Sequence, residues 1–138
     1  MSLAIRGSCL CGEVTYLYRE PVSVFQYCHC SRCRKFTGSA HASNIIVPPQ
    51  QFQWTSGESC LGRFEHPQAK HFATCFCKKC GSSLPWMTKS GRAVVIPAGT
   101  LDDDPGIKPV HNIFWNYRAS WREEVADLTC HAELPVKT

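Results

Sequence analysis

The sequence predicts a mainly β fold built from many short strands. Short runs of β-branched and aromatic residues recur along the chain and are separated by proline, glycine and serine. Helical periodicity is scarce. Ten cysteines stand in the 138 residues, most of them in tight groups, which suggests that metal binding helps a modest core to hold these strands together.

The predicted strands follow one another with turn residues between them. They cover residues 14–18, 22–27, 39–47, 52–55, 60–64, 71–76, 83–87, 93–96 and 110–115. Pro21 ends the first of these strands, and Pro48 and Pro49 end the third. Short helices are predicted at 31–36 and around 121–125, and residues 101–106 are predicted to form a loop. Because no composition break divides the chain, we expect residues 1–138 to form one domain.

Composition and charge narrow the functional class. No apolar run approaches the roughly 18–20 residues that span a bilayer, and residues 1–7 lack the apolar core of a signal peptide. We therefore expect a cytoplasmic protein with no membrane partner, in a reducing compartment where clustered cysteines favour metal over disulfides. The formal net charge is +4, but the basic residues are spread along the chain rather than stacked in a stripe, so no nucleic-acid partner is expected.

Eight of the ten cysteines fall into three groups along the chain. Thiolates two and three residues apart can converge on one metal ion, which predicts zinc. A four-thiolate zinc site and a three-thiolate one would together reduce the formal net charge from +4 to +1. The groups are Cys9 with Cys11, then Cys28 with Cys30 and Cys33, then Cys75 with Cys77 and Cys80.

The first and last groups supply a plausible closed site, which we call the four-cysteine cluster: Cys9, Cys11, Cys77 and Cys80. Residues i and i+2 of a strand are about 6.5–7 Å apart, whereas two sulfurs on one zinc are about 3.8 Å apart, so a C-x-C pair must lie in a bend. Gly12 permits that bend, and Gly81 follows Cys80 as in a zinc knuckle. A closed site of this kind is structural by default.

The middle group, which we call the three-cysteine cluster, consists of Cys28, Cys30 and Cys33. Three ligands leave one coordination position open, as a catalytic zinc requires, unless a distant side chain closes the site. The spacing alone leaves both possibilities, and the candidates for a fourth ligand are His29, His41, His71, Cys60 and Cys75. Cys75 continues an apolar strand without a glycine, which favours a buried thiol, and His29 is expected to be a surface histidine.

The ordered cysteine motifs resemble those of the glutathione-dependent formaldehyde-activating enzyme family, which also includes centromere protein V. The resemblance is carried by GSCLCG at 7–12, CHCSRCRKFTGS at 28–39 and FCKKCGS at 76–82. It continues through Ala98–Asp102, Pro109–His111 and Arg118–Trp121 and so covers nearly the whole chain.

The resemblance implies a β-tent fold of short antiparallel strands stapled by two zinc ions. It implies that the four-cysteine cluster holds a structural zinc, and that Cys28, Cys30 and Cys33 hold a catalytic zinc with an exchangeable fourth position. The implied enzyme is a carbon–sulfur lyase that condenses glutathione, or a similar thiol, with formaldehyde or a related aldehyde to an S-hydroxymethyl adduct. The thiol is activated on the open zinc.

The sequence leaves undecided which residues bind glutathione, whether the zinc sites are catalytic, and whether the protein forms oligomers. The two carboxylates of glutathione need cationic partners, and Arg34 and Lys35 are the first candidates, with Arg118 behind them. The alternative function is a non-catalytic zinc module with two structural sites that binds a protein partner or a thiol metabolite. A homo-oligomer is possible through exposed strand edges.

Overall fold

The computed structural model describes residues 3–122 and 128–135. That part of the chain contains eleven short strands and one α-helix, α1, at Ser31–Thr37, with four short 3₁₀ turns besides. The mainly β prediction is confirmed. The strands are β1 Ala4–Ser8, β2 Thr15–Arg19, β3 Val24–Cys28, β4 Ala42–Val47, β5 Phe52–Ser56, β6 Leu61–Glu65, β7 Ala73–Cys77, β8 Ser83–Leu84, β9 Trp86–Met87, β10 Val94–Pro97 and β11 Asn112–Ile113.

The described strands form three small sheets. One has the order β1-β2-β5, a second has the order β11-β3-β4-β10-β9, and a third has the order β6-β7-β8. Neighbouring strands are antiparallel except for β11, which pairs with β3 in parallel. The five-stranded sheet, called the large sheet below, carries the three-cysteine cluster at one end of β3. The β6-β7-β8 sheet carries Cys77 at the end of β7.

Every strand predicted from the sequence overlaps an observed strand, with some changes of extent. The predicted strand 83–87 is divided at Pro85, because proline has no N–H to donate to a neighbouring strand. The prediction for 110–115 shrinks to two residues, and β1 was missed altogether. The short helix at 31–36 is confirmed and runs one residue further. The helix predicted around 121–125 mostly lies outside the described residues, and 121–122 are not helical.

The core lies where the inner faces of the sheets meet. Alternate residues of β2 point inward, so Tyr16 and Tyr18 are almost completely buried beside Ile45 and Ile96. Gly7 on β1 faces the ring of Tyr16 so closely that a Cβ atom would overlap it. Since the Tyr16 hydroxyl is also hydrogen-bonded to Thr100, the ring is fixed and only glycine fits at position 7.

The predicted acidic loop at 101–106 is confirmed, and its carboxylates bind protein donors. Asp103 accepts hydrogen bonds from the Arg6 guanidinium at 2.9 and 3.0 Å, which lower the pKa of that carboxyl to about 2. Asp102 accepts a hydrogen bond from the Ser8 hydroxyl at 2.7 Å. The loop therefore supports β1 immediately before Cys9. No helix in the described residues is long and apolar enough to span a membrane.

Candidate functional site

The structure brings the four-cysteine cluster together from two distant turns. The four sulfurs all lie within 4.8 Å of one another. The Sγ of Cys11 is 3.6 Å from that of Cys9 and 3.8 Å from that of Cys77. Two thiolates on one tetrahedral zinc are separated by about 3.8 Å, so this donor set fits zinc.

Local hydrogen bonds explain why these two turns present sulfur inward. The backbone N–H of Val14 donates to the Sγ of Cys9 at 3.3 Å, and that of Cys80 donates to the Sγ of Cys77 at 3.5 Å. Gly81 closes the second turn with φ of 78°, a left-handed conformation that glycine adopts freely.

Ser82 joins the two halves of the four-cysteine cluster, a role the sequence analysis missed. Its hydroxyl accepts a hydrogen bond from the Leu10 N–H at 2.9 Å and lies 3.2 Å from the Sγ of Cys80. The contact with this hydroxyl is the largest cause of a fall in the pKa of Cys80 to about 5. The turn therefore favours the thiolate form that a metal requires.

The three-cysteine cluster forms where β3 passes into α1. Cys28 is the last residue of β3, Cys30 caps the N-terminus of α1, and Cys33 lies in the first turn of that helix. Their sulfurs also lie within 4.8 Å of one another. The Cys33 N–H donates to the Sγ of Cys30 at 3.3 Å.

The electrostatics of this cluster favour bound metal as well. Contacts with the Cys28 and Cys33 thiols lower the pKa of Cys30, while contacts with Cys28 and Cys30 raise the pKa of Cys33. One thiolate is thus already stabilised among three close sulfurs, and a cation would stabilise the other two. The three sulfurs fit a soft metal ion such as zinc.

Among the described residues, no fourth ligand completes the three-cysteine cluster within 4.8 Å of all three sulfurs. Cys60 and Cys75 pack with the main core, and burial raises the pKa of the Cys75 thiol to about 11. The His29 and His41 rings lie against each other with centroids 5.1 Å apart, and His71 lines the same cavity as the three cysteines. None of these five candidates joins the three-cysteine cluster at a mutual distance of 4.8 Å.

A cavity of about 500 Å³ opens directly beside the three-cysteine cluster. One face of the large sheet forms its floor, with Asn44 and Ile46 from β4 at the centre. The segment 70–72 forms one wall, and the segment 113–117 contributes another. Lys89 holds the first wall in place, because its ammonium donates to the carbonyls of His66 and Ala69 at 2.9 and 2.8 Å.

A family model described as glutathione-dependent formaldehyde-activating enzyme matches residues 4–117, a range that contains both clusters and every residue lining the cavity. The chain belongs to this family. Membership confirms the resemblance inferred from the cysteine motifs and supports a formaldehyde-activating function.

A solved structure adds support for the fold. The chain resembles a crystal structure of a Rhodobacter sphaeroides protein with a TM-score of 0.58 and 20% sequence identity. The match covers 78% of this chain and 98% of that chain. At such low identity the likeness supports the fold alone. No curated protein matches the chain.

In this member of the formaldehyde-activating enzyme family, His29 is a buried residue, so the surface position expected from the sequence is wrong. Its side chain has 0% exposure, and its Nε2–H donates to the Oδ1 of Asn112 at 2.8 Å. Its backbone N–H donates to the Ile113 carbonyl at 3.0 Å, and its ring meets the edge of Trp115. The strand β11 therefore clamps the loop that carries the three-cysteine cluster.

We expect Asn112→Ala to reduce the free energy of unfolding by about 1–3 kcal/mol, because the buried His29 ring would lose its partner. Urea denaturation of the metal-loaded protein measures this effect. Asn116→Ala is the matched control, since Asn116 is exposed on the adjacent turn, and it should stay within about 0.5 kcal/mol of wild type. Equal stability of the two variants would contradict the clamp.

The cationic residues of the family member's cavity differ from those the sequence suggested. Arg32 and Lys70 line it, whereas Arg34 and Lys35 do not. Arg118 donates to the Trp115 carbonyl at 2.9 Å and lies over the Trp115 ring, 4.6 Å from its centroid.

Proposed function

We propose that this protein is a zinc-dependent carbon–sulfur lyase that joins glutathione, or a similar thiol, to formaldehyde or a related aldehyde. One observation carries the proposal: three cysteine sulfurs converge beside an open cavity, and no fourth donor among the described residues completes their site. We further propose a cytoplasmic location, where a reducing environment leaves these thiols available to metal, and one domain over residues 1–138.

The two clusters have different roles in this proposal. The four-cysteine cluster holds a structural zinc that ties β1 to β7, since its four sulfurs satisfy a tetrahedral ion. The three sulfurs of Cys28, Cys30 and Cys33 would hold the second zinc, which would leave one coordination position for substrate. When bound there, zinc supplies acidity: it lowers the pKa of an incoming thiol, ordinarily about 8.5, so that the thiolate exists at neutral pH.

The reaction needs no oxidant or other co-reactant. The thiol loses its proton, the sulfur electron pair forms a bond to the carbonyl carbon, and the C=O π pair moves to oxygen, which takes up a proton. The product is a hydroxyalkyl thioether, and the reverse reaction breaks the carbon–sulfur bond. The chain positions the reactants and excludes water from them. Phe72 and Ile113 pack against the three-cysteine cluster and limit the access of water there.

The carboxylates of glutathione find cationic partners at the cavity. Arg32 and Lys70 both line it and are both exposed, so each can reach a carboxylate without first breaking an ion pair found in the structure. An arginine can hold a carboxylate through two parallel N–H donors. These two residues orient the thiol in the proposed complex.

The visible spectrum of the cobalt-substituted protein tests the proposal. With two metal ions per chain, stepwise addition of glutathione should shift the ligand-field bands, because a new sulfur enters one of the sites. S-methylglutathione, which has no free thiol, is the control and should leave the bands almost unchanged. An unchanged spectrum with glutathione would contradict the proposal and favour the non-catalytic zinc module.

A further inference from the structure

The cavity beside the three-cysteine cluster is much larger than formaldehyde requires. Its volume is about 500 Å³. Formaldehyde has two non-hydrogen atoms and fills roughly the space of two water molecules, about 60 Å³. Glutathione is longer but polar along its whole length. The chemistry of the cavity walls therefore decides what else the cavity accommodates.

The cavity floor changes from polar to apolar with distance from the three-cysteine cluster. Gln26 on β3 and Asn44 on β4 are paired across the sheet, and they lie two residues, about 7 Å, before the end of β3. Two residues further from the cluster, the cavity floor is apolar. There Ile46 pairs with Val95, and Val95 pairs with Trp86. All five residues line the cavity.

The polar pair on the cavity floor, Gln26 and Asn44, has limited capacity to hydrogen-bond a ligand. The Oε1 of Gln26 already accepts a hydrogen bond from the Nε2–H of His111 at 2.8 Å. Two further apolar side chains, Phe72 and Ile113, pack directly on the three-cysteine cluster. The Phe72 ring lies 5.1 Å from the Trp86 ring, so apolar surface runs without a break from the sulfurs to the far end of the cavity.

A strained aromatic residue lies at the edge of the same cavity. Phe114 has φ of 55°, a left-handed conformation that residues with a Cβ rarely adopt, and its side chain is 54% exposed. Strained backbone is often found at ligand clamps. An exposed phenylalanine beside an apolar cavity adds to the surface that an apolar ligand would cover.

We propose that the aldehyde taken by this enzyme carries an apolar chain or an aromatic ring, which lies along Ile46, Phe72, Trp86 and Val95. This inference rests on the proposed function and specifies its substrate class. The thiol sulfur adds to the carbonyl carbon of this aldehyde, the thiol proton is released, and the carbonyl oxygen takes up a proton, giving the corresponding hydroxyalkyl thioether. Arg32 and Lys70 bind the carboxylates of the thiol while the apolar group occupies the cavity.

S-alkylglutathiones test the inference by binding alone, because they resemble the adduct but cannot react. Affinities for S-methyl-, S-butyl-, S-hexyl- and S-benzylglutathione are measured by calorimetry on the zinc-loaded protein. Each methylene buried on apolar surface lowers Kd about threefold to fourfold. S-hexylglutathione has five more methylenes than the S-methyl compound, so we expect it to bind roughly 200-fold to 1,000-fold more tightly when all five are buried.

Two variants test whether the alkyl chain lies on the apolar floor of the cavity. Ile46→Thr introduces a hydroxyl on the apolar floor and should reduce the advantage of the S-hexyl compound about tenfold, while S-methylglutathione binds within about twofold of wild type. Val95→Thr, which conserves shape, repeats the test if Ile46→Thr fails to fold. Phe64→Ala is the control, because Phe64 is an exposed residue of β6 that does not line the cavity, and it should leave the whole series unchanged.

The outcomes separate this inference from the proposed function. Equal affinity for all S-alkyl compounds, with a cobalt spectrum that still responds to glutathione, would overturn the apolar aldehyde and leave the proposed function intact. A chain-length effect that survives both threonine variants would overturn the assigned position of the apolar group. A cobalt spectrum that ignores glutathione would overturn the proposed function, and this inference with it.

Discussion

Cys77→Ala is expected to remove one of two metal ions per chain and to cost more than about 5 kcal/mol of unfolding free energy. Cys77 has 0% exposure, and its sulfur is one of four that join the turn after β1 to the turn after β7. The free energy of binding a structural zinc is also free energy of folding, since the unfolded chain has no preformed site. Metal analysis and urea denaturation measure the two effects.

Cys75→Ala is the matched control for this variant. Cys75 lies two residues earlier on the same buried face of β7 but belongs to neither cysteine cluster. We expect it to keep both metal ions and to lose only about 1–2 kcal/mol, from the cavity left by the sulfur. Loss of a metal ion from Cys75→Ala would show that Cys75 is a ligand. For the wild-type protein, a chelator should destabilise the fold and a reductant without chelator should not.

Cys28→Ser is expected to reduce enzyme-dependent adduct formation at least a hundredfold while the protein remains folded. Within the part of the chain that the structure describes, Cys28 is one of three thiols that converge beside the cavity, so its loss leaves two sulfurs for the second metal. The four-cysteine cluster is unaffected, so we expect the melting temperature to fall by only a few degrees. The rate is measured by exchange spectroscopy, which separates the enzyme-dependent rate from the spontaneous addition of thiols to aldehydes.

Metal analysis of Cys28→Ser distinguishes the two functional hypotheses. In the proposed enzyme, one metal ion remains and turnover is lost. In a non-catalytic module with two structural sites, the same substitution unfolds the chain. Ser31→Ala offers a control on the same segment, since Ser31 is exposed and supplies no sulfur, and it should keep both metal content and fold.

The two cysteine clusters could be predicted from the sequence because the geometry that brings their sulfurs together is local. A C-x-C pair in a bend and a C-x-x-C pair with a following glycine each present two sulfurs to one ion, whatever the rest of the fold does. The strands were predictable for a similar reason, since runs such as 14–18 show their β propensity within a few residues. The strand β1 was missed because Ile5 is its single β-branched residue, and its stability comes from pairing with β2.

The cavity could not be predicted, because its walls come together only in the folded sheet. Its floor needs the register between β3, β4 and β10, and that register is a tertiary property. The position of His29 was misjudged for the same reason, since its partner Asn112 stands 83 residues later. Arg34 and Lys35 were chosen for their closeness to Cys33 in sequence, but successive residues of a helix point in different directions, and Arg32 lines the cavity instead.

The parallel pairing of β11 with β3 has a consequence for the order in which the protein is completed during synthesis. The last sulfur of the four-cysteine cluster, that of Cys80, leaves the ribosome before β11, so this cluster can assemble while the cavity still lacks a wall. The thiols of the three-cysteine cluster are translated much earlier than Asn112 and Ile113, which support their loop. Assembly of the end of the molecule that carries the three-cysteine cluster therefore depends on residues that are made after most of the core.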